Sequence, residues 1–366
     1  MGRILFNALQ ASTEGAGISR YAFELAYHLS RLSAEVHVVI SHEYERDFSK
    51  NTSFYFNRVR STAKRILFEQ LVLPFTFDKF SLIHYPDLAS PLVCSKPAVV
   101  TLHDLCHLRY PHMFTISQKS WRSYMGLLSL KRAKRIICVS EFTKNEAIKI
   151  LNIPGDKMRV VHSGVRPKND RFNDKLPSPV KVPYILSVGT LQPRKNFARL
   201  IKAFLIMKKR GLTHKLVIAG GKGRLHHLML NEIKGLDISQ VIFTGHVADS
   251  SLAALYENAD ALVCASLYEG FGFPPLEAMS YGTPAVVSHA SSLPEVCGDA
   301  VCYVDPYDVD DIADGIYKVL TDKSLRNELI QKGFERINFF TWEKAARETL
   351  EIYLELQGKS CDSSNS

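Results

Sequence analysis

No run in this sequence approaches the roughly 18 to 20 consecutive apolar residues that span a bilayer. Met1-Gly-Arg-Ile-Leu-Phe6 reads as a first strand rather than a cleavable leader, so the expectation is a cytosolic protein. The seven cysteines are scattered and form no CxxC pair. Cys138 and Cys264 sit inside apolar strand-like runs, where a reduced thiol packs as a small hydrophobe, so neither a disulfide nor a zinc site is expected. A nicotinamide fingerprint is also missing. Gly15-Ala-Gly17 has Arg20 where G-x-G-x-x-G requires its third glycine.

What is present is a folded composition: 366 residues, 46% hydrophobic and 10% aromatic, too long for one ordinary core and therefore two domains. The net charge of +9 suits an anionic partner. No nucleic-acid recognition motif accompanies it, which argues against nucleic acid. Lys119, Arg122, Lys131, Arg132, Lys134 and Arg135 interleave with Trp121, Tyr124, Met125, Leu127 and Leu128 in a helical pattern. That pattern fits either a peripheral contact with an anionic membrane surface or a plain solvated helix face.

Apolar strand-like runs recur at 4–9, 36–40, 82–85, 98–102, 136–139 and 160–162, with helical spacing at 22–32 and at 141–151 behind an N-capping Ser140. A second series follows at 184–188, 215–219, 241–244, 261–265, 285–288 and 301–304, with helices at 197–209, 251–258 and 309–320. This alternation predicts an α/β protein of two parallel-sheet domains, spanning 1–166 and 184–340. Residues 167–183, rich in proline, lysine and aspartate, read as the linker; 341–357 form an amphipathic helix and 358–366 a disordered tail. Ligands of such sheets bind beyond the carboxyl ends of the strands, so two facing domains create one cleft, with acceptor groups expected on the wall of 1–166 and the nucleotide sugar on that of 184–340.

Two loops carry the chemistry. In Glu269-Gly-Phe-Gly-Phe-Pro-Pro-Leu-Glu277, Pro274 and Pro275 suit the first helical positions, so the open end of the helix faces Gly270 and Gly272. Its amides and positive pole suit a diphosphate, while carboxylates are double acceptors for vicinal sugar hydroxyls. The alternative is a glycine turn before an ordinary helix, with Glu277 as a first-turn dipole partner. The loop 189–196 places Arg194 and Lys195 at a helix start, a costly position unless an anion neutralises them. A solvated basic loop is the alternative.

These segments, with Ser187-Val-Gly-Thr-Leu-Gln-Pro-Arg-Lys-Asn196, Tyr281-Gly-Thr-Pro-Ala-Val-Val287, Ser292-Leu-Pro-Glu-Val-Cys-Gly-Asp-Ala300, Gly15 to Tyr21 and His103-Asp104-Leu105, resemble the retaining glycosyltransferases of family 4, and the similarity covers nearly the whole chain. The nearest flavour is the mannosyltransferases that extend bacterial surface polysaccharides, including lipopolysaccharide O-antigen. The resemblance implies the GT-B fold, two Rossmann-like domains facing a central cleft, with the last helix returning to the first domain. It implies transfer of a hexose, with retention and without metal or cofactor, from a nucleotide diphosphate sugar to a hydroxyl of a lipid-linked or growing glycan on the inner face of the cytoplasmic membrane.

By that resemblance Gly17 and Gly189 approach the donor, Arg194 and Lys195 meet the diphosphate, Gly270, Phe271 and Gly272 offer amides, Glu269 orients the hexose, Glu277 holds the ribose, and His103 touches an outer hexose hydroxyl. Gly245 and Val247 lie where backbone reads the base, which implies GDP-mannose or, alternatively, a UDP-hexose. Two departures stand out. Thr190 replaces an arginine frequent in the family, moving that role to Arg194, and Ser163-Gly164 replaces an Asn-Gly. His103 and His107 have helical zinc-ligand spacing, but Pro111 and the preceding strand end argue against a shared helix. Asp308-Val-Asp310 resembles the metal-binding acid motif of the other large glycosyltransferase fold but opens a helix, where acids complement the dipole. A nucleotide-sugar binder without turnover and an epimerase of the same fold remain the readings of another class.

Overall fold

A computed structural model describes residues 2–11, 17–41, 44, 47–48, 53–56, 62–76, 79–88, 90–91, 96–168, 177, 179–223 and 225–358. Gly15, Ala16, most of 167–178 and the tail beyond Gly358 lie outside the described residues, as do the side chains of Trp121 and Arg122. The chain divides into two compact units, one of 1–105, 117–164 and 342–366, the other of 106–116 and 165–341.

In chain order the first part contains β1 (Ile4–Asn7), α1 (Ile18–Leu32), β2 (Val36–Ser41), β3 (Ser53–Phe56), α2 (Thr62–Leu71), α3 (Leu73–Thr76), β4 (Leu82–Tyr85), β5 (Ala98–Leu102), α4 (Cys106–Arg109), α5 (Ile116–Arg132), β6 (Arg135–Cys138), α6 (Glu141–Leu151) and β7 (Met158–Val160). The second part contains β8 (Tyr184–Val188), α7 (Phe197–Lys209), β9 (Lys215–Ala219), α8 (His226–Glu232), β10 (Val241–Gly245), α9 (Asp249–Glu257), β11 (Ala261–Cys264), α10 (Phe273–Ser280), β12 (Ala285–Ser288), α11 (Leu293–Cys297), β13 (Cys302–Val304), α12 (Val309–Thr321), α13 (Lys323–Ile337) and α14 (Trp342–Leu356).

The sheet of the first unit has the order β3-β2-β1-β4-β5-β6-β7 and pairs parallel throughout. Strands such as LIHY and AVVTL are apolar on both faces because helices cover both sides of a parallel sheet. The last strand begins at Met158 rather than Val160, since parallel pairing aligns Ile136 with Met158. The edge strand β3 has no counterpart among the sequence-predicted runs. Ser140 caps α6 as expected, its side chain accepting the Thr143 amide at 3.1 Å.

The final helix α14 belongs to this first unit, packed on α1. Its fully buried Tyr353 is hydrogen-bonded to His84 Nδ1, whose Nε2 lies 2.8 Å from Thr101 Oγ1, and the Tyr21 hydroxyl reaches that same oxygen at 3.2 Å. Burial, with a smaller contribution from His103, pulls His84 down to about 3, so the imidazole is neutral.

The second unit has a six-stranded sheet of order β10-β9-β8-β11-β12-β13, again parallel. Its core is built from α7, α12 and the strands, with Leu200, Ile201, Phe204, Leu216, Val263 and Ile316 fully buried. Residues 106–116 join this unit rather than the domain predicted as 1–166, and the unit begins at Val165 rather than 184. The reason is contact. The ring of Tyr110 packs on Tyr268 at 5.9 Å, and Val165 donates its amide to Phe340 O at 2.8 Å.

Among the basic residues predicted as one helical cluster, Lys134 and Arg135 lie beyond α5, and Arg135 is 3.6 Å from Glu355 of α14. Of the apolar residues predicted in that pattern, Met125 is buried, Leu127 and Leu128 are half-buried and Tyr124 is 67% exposed, so only part of the set faces the core. Among the described residues no helix is long and apolar enough to cross a membrane.

Candidate donor-binding site

In the second unit the loops after β8 and β11 meet at the carboxyl ends of neighbouring strands, where ligands of open parallel sheets bind. After β8 the chain makes a 3-10 turn, Pro193–Lys195, and Asn196 then takes a left-handed conformation (φ 61°) before α7. Asn tolerates that conformation, and its amide nitrogen anchors it by donating to Ala265 O at 2.9 Å and Pro306 O at 2.7 Å. The turn thereby aims Arg194 and Lys195 at the loop after β11.

There Lys195 Nζ donates to Glu269 Oε1 at 2.6 Å, and Arg194 Nη1 donates to Glu269 Oε2 at 2.8 Å and to Tyr268 O at 3.1 Å. The Lys195 side chain is only 10% exposed, so it is not the solvated loop cation of the alternative reading. Glu269 is 6% exposed. Burial alone would raise its carboxyl, but Lys195, then Arg194 and a hydrogen bond from Ser266, outweigh that and hold it at about 2. The pair of cations therefore already grips two anionic oxygens. The carboxylate predicted to face a hexose is, in this structure, the counter-ion of the cations predicted to face phosphate.

The loop of Glu269 is fastened from below. Its amide donates to Ser291 Oγ at 2.9 Å, while Ser292 Oγ donates to Glu269 O at 2.9 Å and Phe271 O at 2.8 Å. Gly272 has φ 116°, a backbone conformation that favours glycine, and a Cβ there would press on Leu293 Cδ2 at 2.7 Å. Gly270 and Phe271 complete the turn into α10, which starts at Phe273, one residue before the expected Pro274. Glu277 is consequently the fifth helical residue, not a first-turn acid. Tyr256 donates to its Oε2 at 2.7 Å.

Gly189 lies under Lys195, where a Cβ would be 2.9 Å from Lys195 Cε. Gly220 comes so close to Gly189 that a Cβ would overlap the Gly189 carbonyl. Gly245 ends β10 with φ 70° and, among the described residues, open space where a Cβ would stand; Val247 lies two residues further on, after His246. Gly245 O accepts the Gly220 amide at 2.9 Å, which ties the predicted base-reading loop to the glycines under Lys195.

In the first unit Gly17 opens α1 with φ 60° and, among the described residues, nothing within 4 Å of a hypothetical Cβ. His103, directly after β5, is held by structural partners: Nε2 donates to Pro86 O at 2.8 Å and the ring packs edge-on against Tyr21 at 4.7 Å. His107 lies in α4, which begins at Cys106, so the two histidines share no helix. Asp308 caps α12 by accepting the amides of Asp310 at 2.9 Å and Asp311 at 3.2 Å. Sequence reasoning assigned no role to Ser291, Ser292, Asn196 or Tyr256, because their roles depend on which loops meet.

Two family models match, one described as Glycosyl transferases group 1 over residues 168–336, the other as Glycosyltransferase Family 4 over 15–169. An O-antigen chain mannosyltransferase B of Escherichia coli is 33% identical over 267 residues, covering 70% of each chain. The O-antigen chain mannosyltransferase RfbU of Salmonella typhimurium is 27% identical, covering 83% of this chain and 87% of its own. Among solved structures, a sucrose-phosphate synthase from Thermosynechococcus elongatus matches with a TM-score of 0.75 at 20% identity, covering 98% of this chain and all of the other.

Proposed function

Because the chain belongs to the family 4 glycosyltransferases, we propose that it moves mannose from GDP-mannose, with retention, to a hydroxyl of a lipid-linked or growing surface glycan. Its membership makes it a glycosyltransferase with a GT-B fold, a nucleotide-sugar donor and a glycan acceptor, which sets aside the binder and epimerase readings. The identity of the hexose is supported by the mannosyltransferases among its relatives.

One observation carries the mechanism: Lys195 and Arg194 converge within 2.8 Å of a single carboxylate beside the turn that opens α10. Such a pair, with the amides of the Gly270 to Phe273 turn and the helix pole, suits the charge that develops on a departing diphosphate. A diphosphate brings more negative charge than Glu269, so it takes the cations and leaves the carboxylate for the hexose hydroxyls. In the reaction the C1 bond to the phosphate oxygen breaks and a C1 bond to the acceptor oxygen forms on the same face. The acceptor proton goes to the departing phosphate, so no separate protein base is required. Glu277 holds the ribose, Gly245 and Val247 read the base, Gly17 and Gly189 let backbone approach, and His103 contacts an outer hydroxyl of the hexose. No cofactor or metal enters this scheme, and work at an anionic membrane surface accords with the exposed Lys119, Lys131, Arg132 and Lys134.

The test is mass spectrometry of the protein with a panel of nucleotide sugars and a polyprenyl-linked glycan acceptor, with NMR of the product's anomeric centre. The expected outcome is consumption of GDP-mannose and an α-linked product. Preference for a UDP-hexose would overturn the donor, and a β-linked product the retention.

A further inference from the structure

Three aromatic rings stand beside the Glu269 loop without a role in gripping the donor. Tyr110 comes from the segment 106–116 of the second unit, packs at 5.9 Å and 74° on Tyr268, and its hydroxyl lies 3.2 Å from that of Tyr307. Tyr268 immediately precedes Glu269 and is buried, so it acts as a backing for Tyr110. Tyr307 is 56% exposed, so its ring is open to a ligand from solvent. His112, also exposed, lies 6.2 Å from Tyr110.

These rings are held firmly. Asn196, the residue after Lys195, donates to Pro306 O at 2.7 Å and so draws the loop of Tyr307 towards the end of β11. The Tyr307 amide donates to Asp305 Oδ1 at 2.8 Å, and the Arg199 guanidinium sits 5.6 Å from the ring centroid. Tyr307 enters from the β13 edge of the sheet, whereas the loop assigned to the base ends β10 at the opposite edge. A donor lying from β10 to Glu269 therefore leaves these rings on its far side.

We propose that Tyr110 and Tyr307 form a stacking platform for a pyranose ring of the acceptor glycan. A pyranose presents one face of polarised C–H bonds, which matches the negative face of an aromatic ring, and equatorial hydroxyls that reach the paired phenols at its edge. The platform explains why two tyrosines rather than phenylalanines hold each other here by their hydroxyls in partly exposed positions. It rests on the glycosyltransferase reading for the acceptor's chemistry, but not on the choice of donor.

The test uses the full chain, with linear α-mannotriose as acceptor probe and GDP as donor probe. Saturation-transfer NMR titrates the sugar and calorimetry the nucleotide. Wild type should bind mannotriose saturably, Tyr307→Ala should weaken it roughly tenfold, and Tyr110→Phe, which keeps the ring, only about two- to threefold. GDP affinity should stay within about twofold in both variants, since the loop assigned to the base ends β10 at the opposite edge of the sheet from Tyr307. Unchanged mannotriose binding by Tyr307→Ala, no saturable binding by wild type, or a parallel loss of GDP affinity would each overturn the platform. Mannotriose binding that depends on Tyr307, in a protein that ignores GDP, would support the platform while refuting the donor.

Discussion

Lys195 Nζ lies 2.6 Å from Glu269 Oε1, although 74 residues separate them in the chain. Two loops at the carboxyl ends of neighbouring strands thus share charge-assisted contacts, Lys195 and Arg194 each holding one oxygen of Glu269, and together they hold its carboxyl well below the usual carboxylate range. Each partner fixes the rotamer of the other.

Lys195→Ala should reduce kcat at saturating donor by about 100- to 1,000-fold, the loss of one preorganised donor to a developing oxyanion. Because Lys195 is buried against Glu269, the same change should also destabilise the fold by about 1–3 kcal/mol. Steady-state kinetics well below the melting transition, alongside thermal denaturation, separates the two effects. Turnover within a few-fold of wild type would remove Lys195 from the chemistry.

Glu269→Ala and Glu277→Ala should diverge. Without the Glu269 carboxylate both cations are available to phosphate, so bare GDP should bind as tightly as to wild type or more so, while turnover collapses. Glu277→Ala should weaken GDP about ten- to a hundredfold through loss of a charged acceptor for ribose hydroxyls. Calorimetry with GDP decides, and the reverse order would exchange the two assignments.

Chelation should leave the enzyme active. The Asp308 oxygen that would serve a metal is engaged by two backbone amides, and Asp311 Oδ2 accepts the Asp305 amide at 2.6 Å. Initial rates with EDTA should stay within about twofold of untreated enzyme. Abolition by EDTA with rescue by manganese would contradict this.

His84 should govern part of the acid response. Its folded pKa is lowered from 6.5 to about 3, so between those values the unfolded chain binds a proton that the folded one does not. Stability should therefore fall as pH drops through this window, by at most about 1.4 kcal/mol per pH unit from this group. His84→Gln should flatten the pH dependence of the denaturation midpoint between pH 6.5 and 4. An unchanged slope would show that other groups dominate.

Continuous apolar runs made most strands legible. Tyr184–Val188, Lys215–Ala219 and Ala285–Ser288 are buried on both faces and bounded by proline, glycine or lysine, so their ends coincide with the runs. Ser53–Phe56 is short, lies at a sheet edge, and pairs only with β2, so little in its own residues marks it. The motif residues Glu269, Lys195 and Gly272 were visible as types suited to their chemistry. Their mutual ion pairing was not, because spacing within a loop does not state which loop it meets. The same holds for the Ser291 and Ser292 clamp, and for Tyr110, whose segment follows a first-unit strand yet packs with the second unit.

The return of α14 orders events during synthesis. The second unit's main body, 165–341, is contiguous and precedes α14 in the chain, so it emerges from the ribosome complete. The first unit does not. Its strands β4 and β5 are made early, yet His84 waits for the Tyr353 hydroxyl some 269 residues later. Until that helix arrives, α1 has an uncovered apolar flank and the nascent chain carries a half-built domain that invites chaperone capture. The unit translated last is therefore free to fold first, and the unit translated first is sealed by the closing helix.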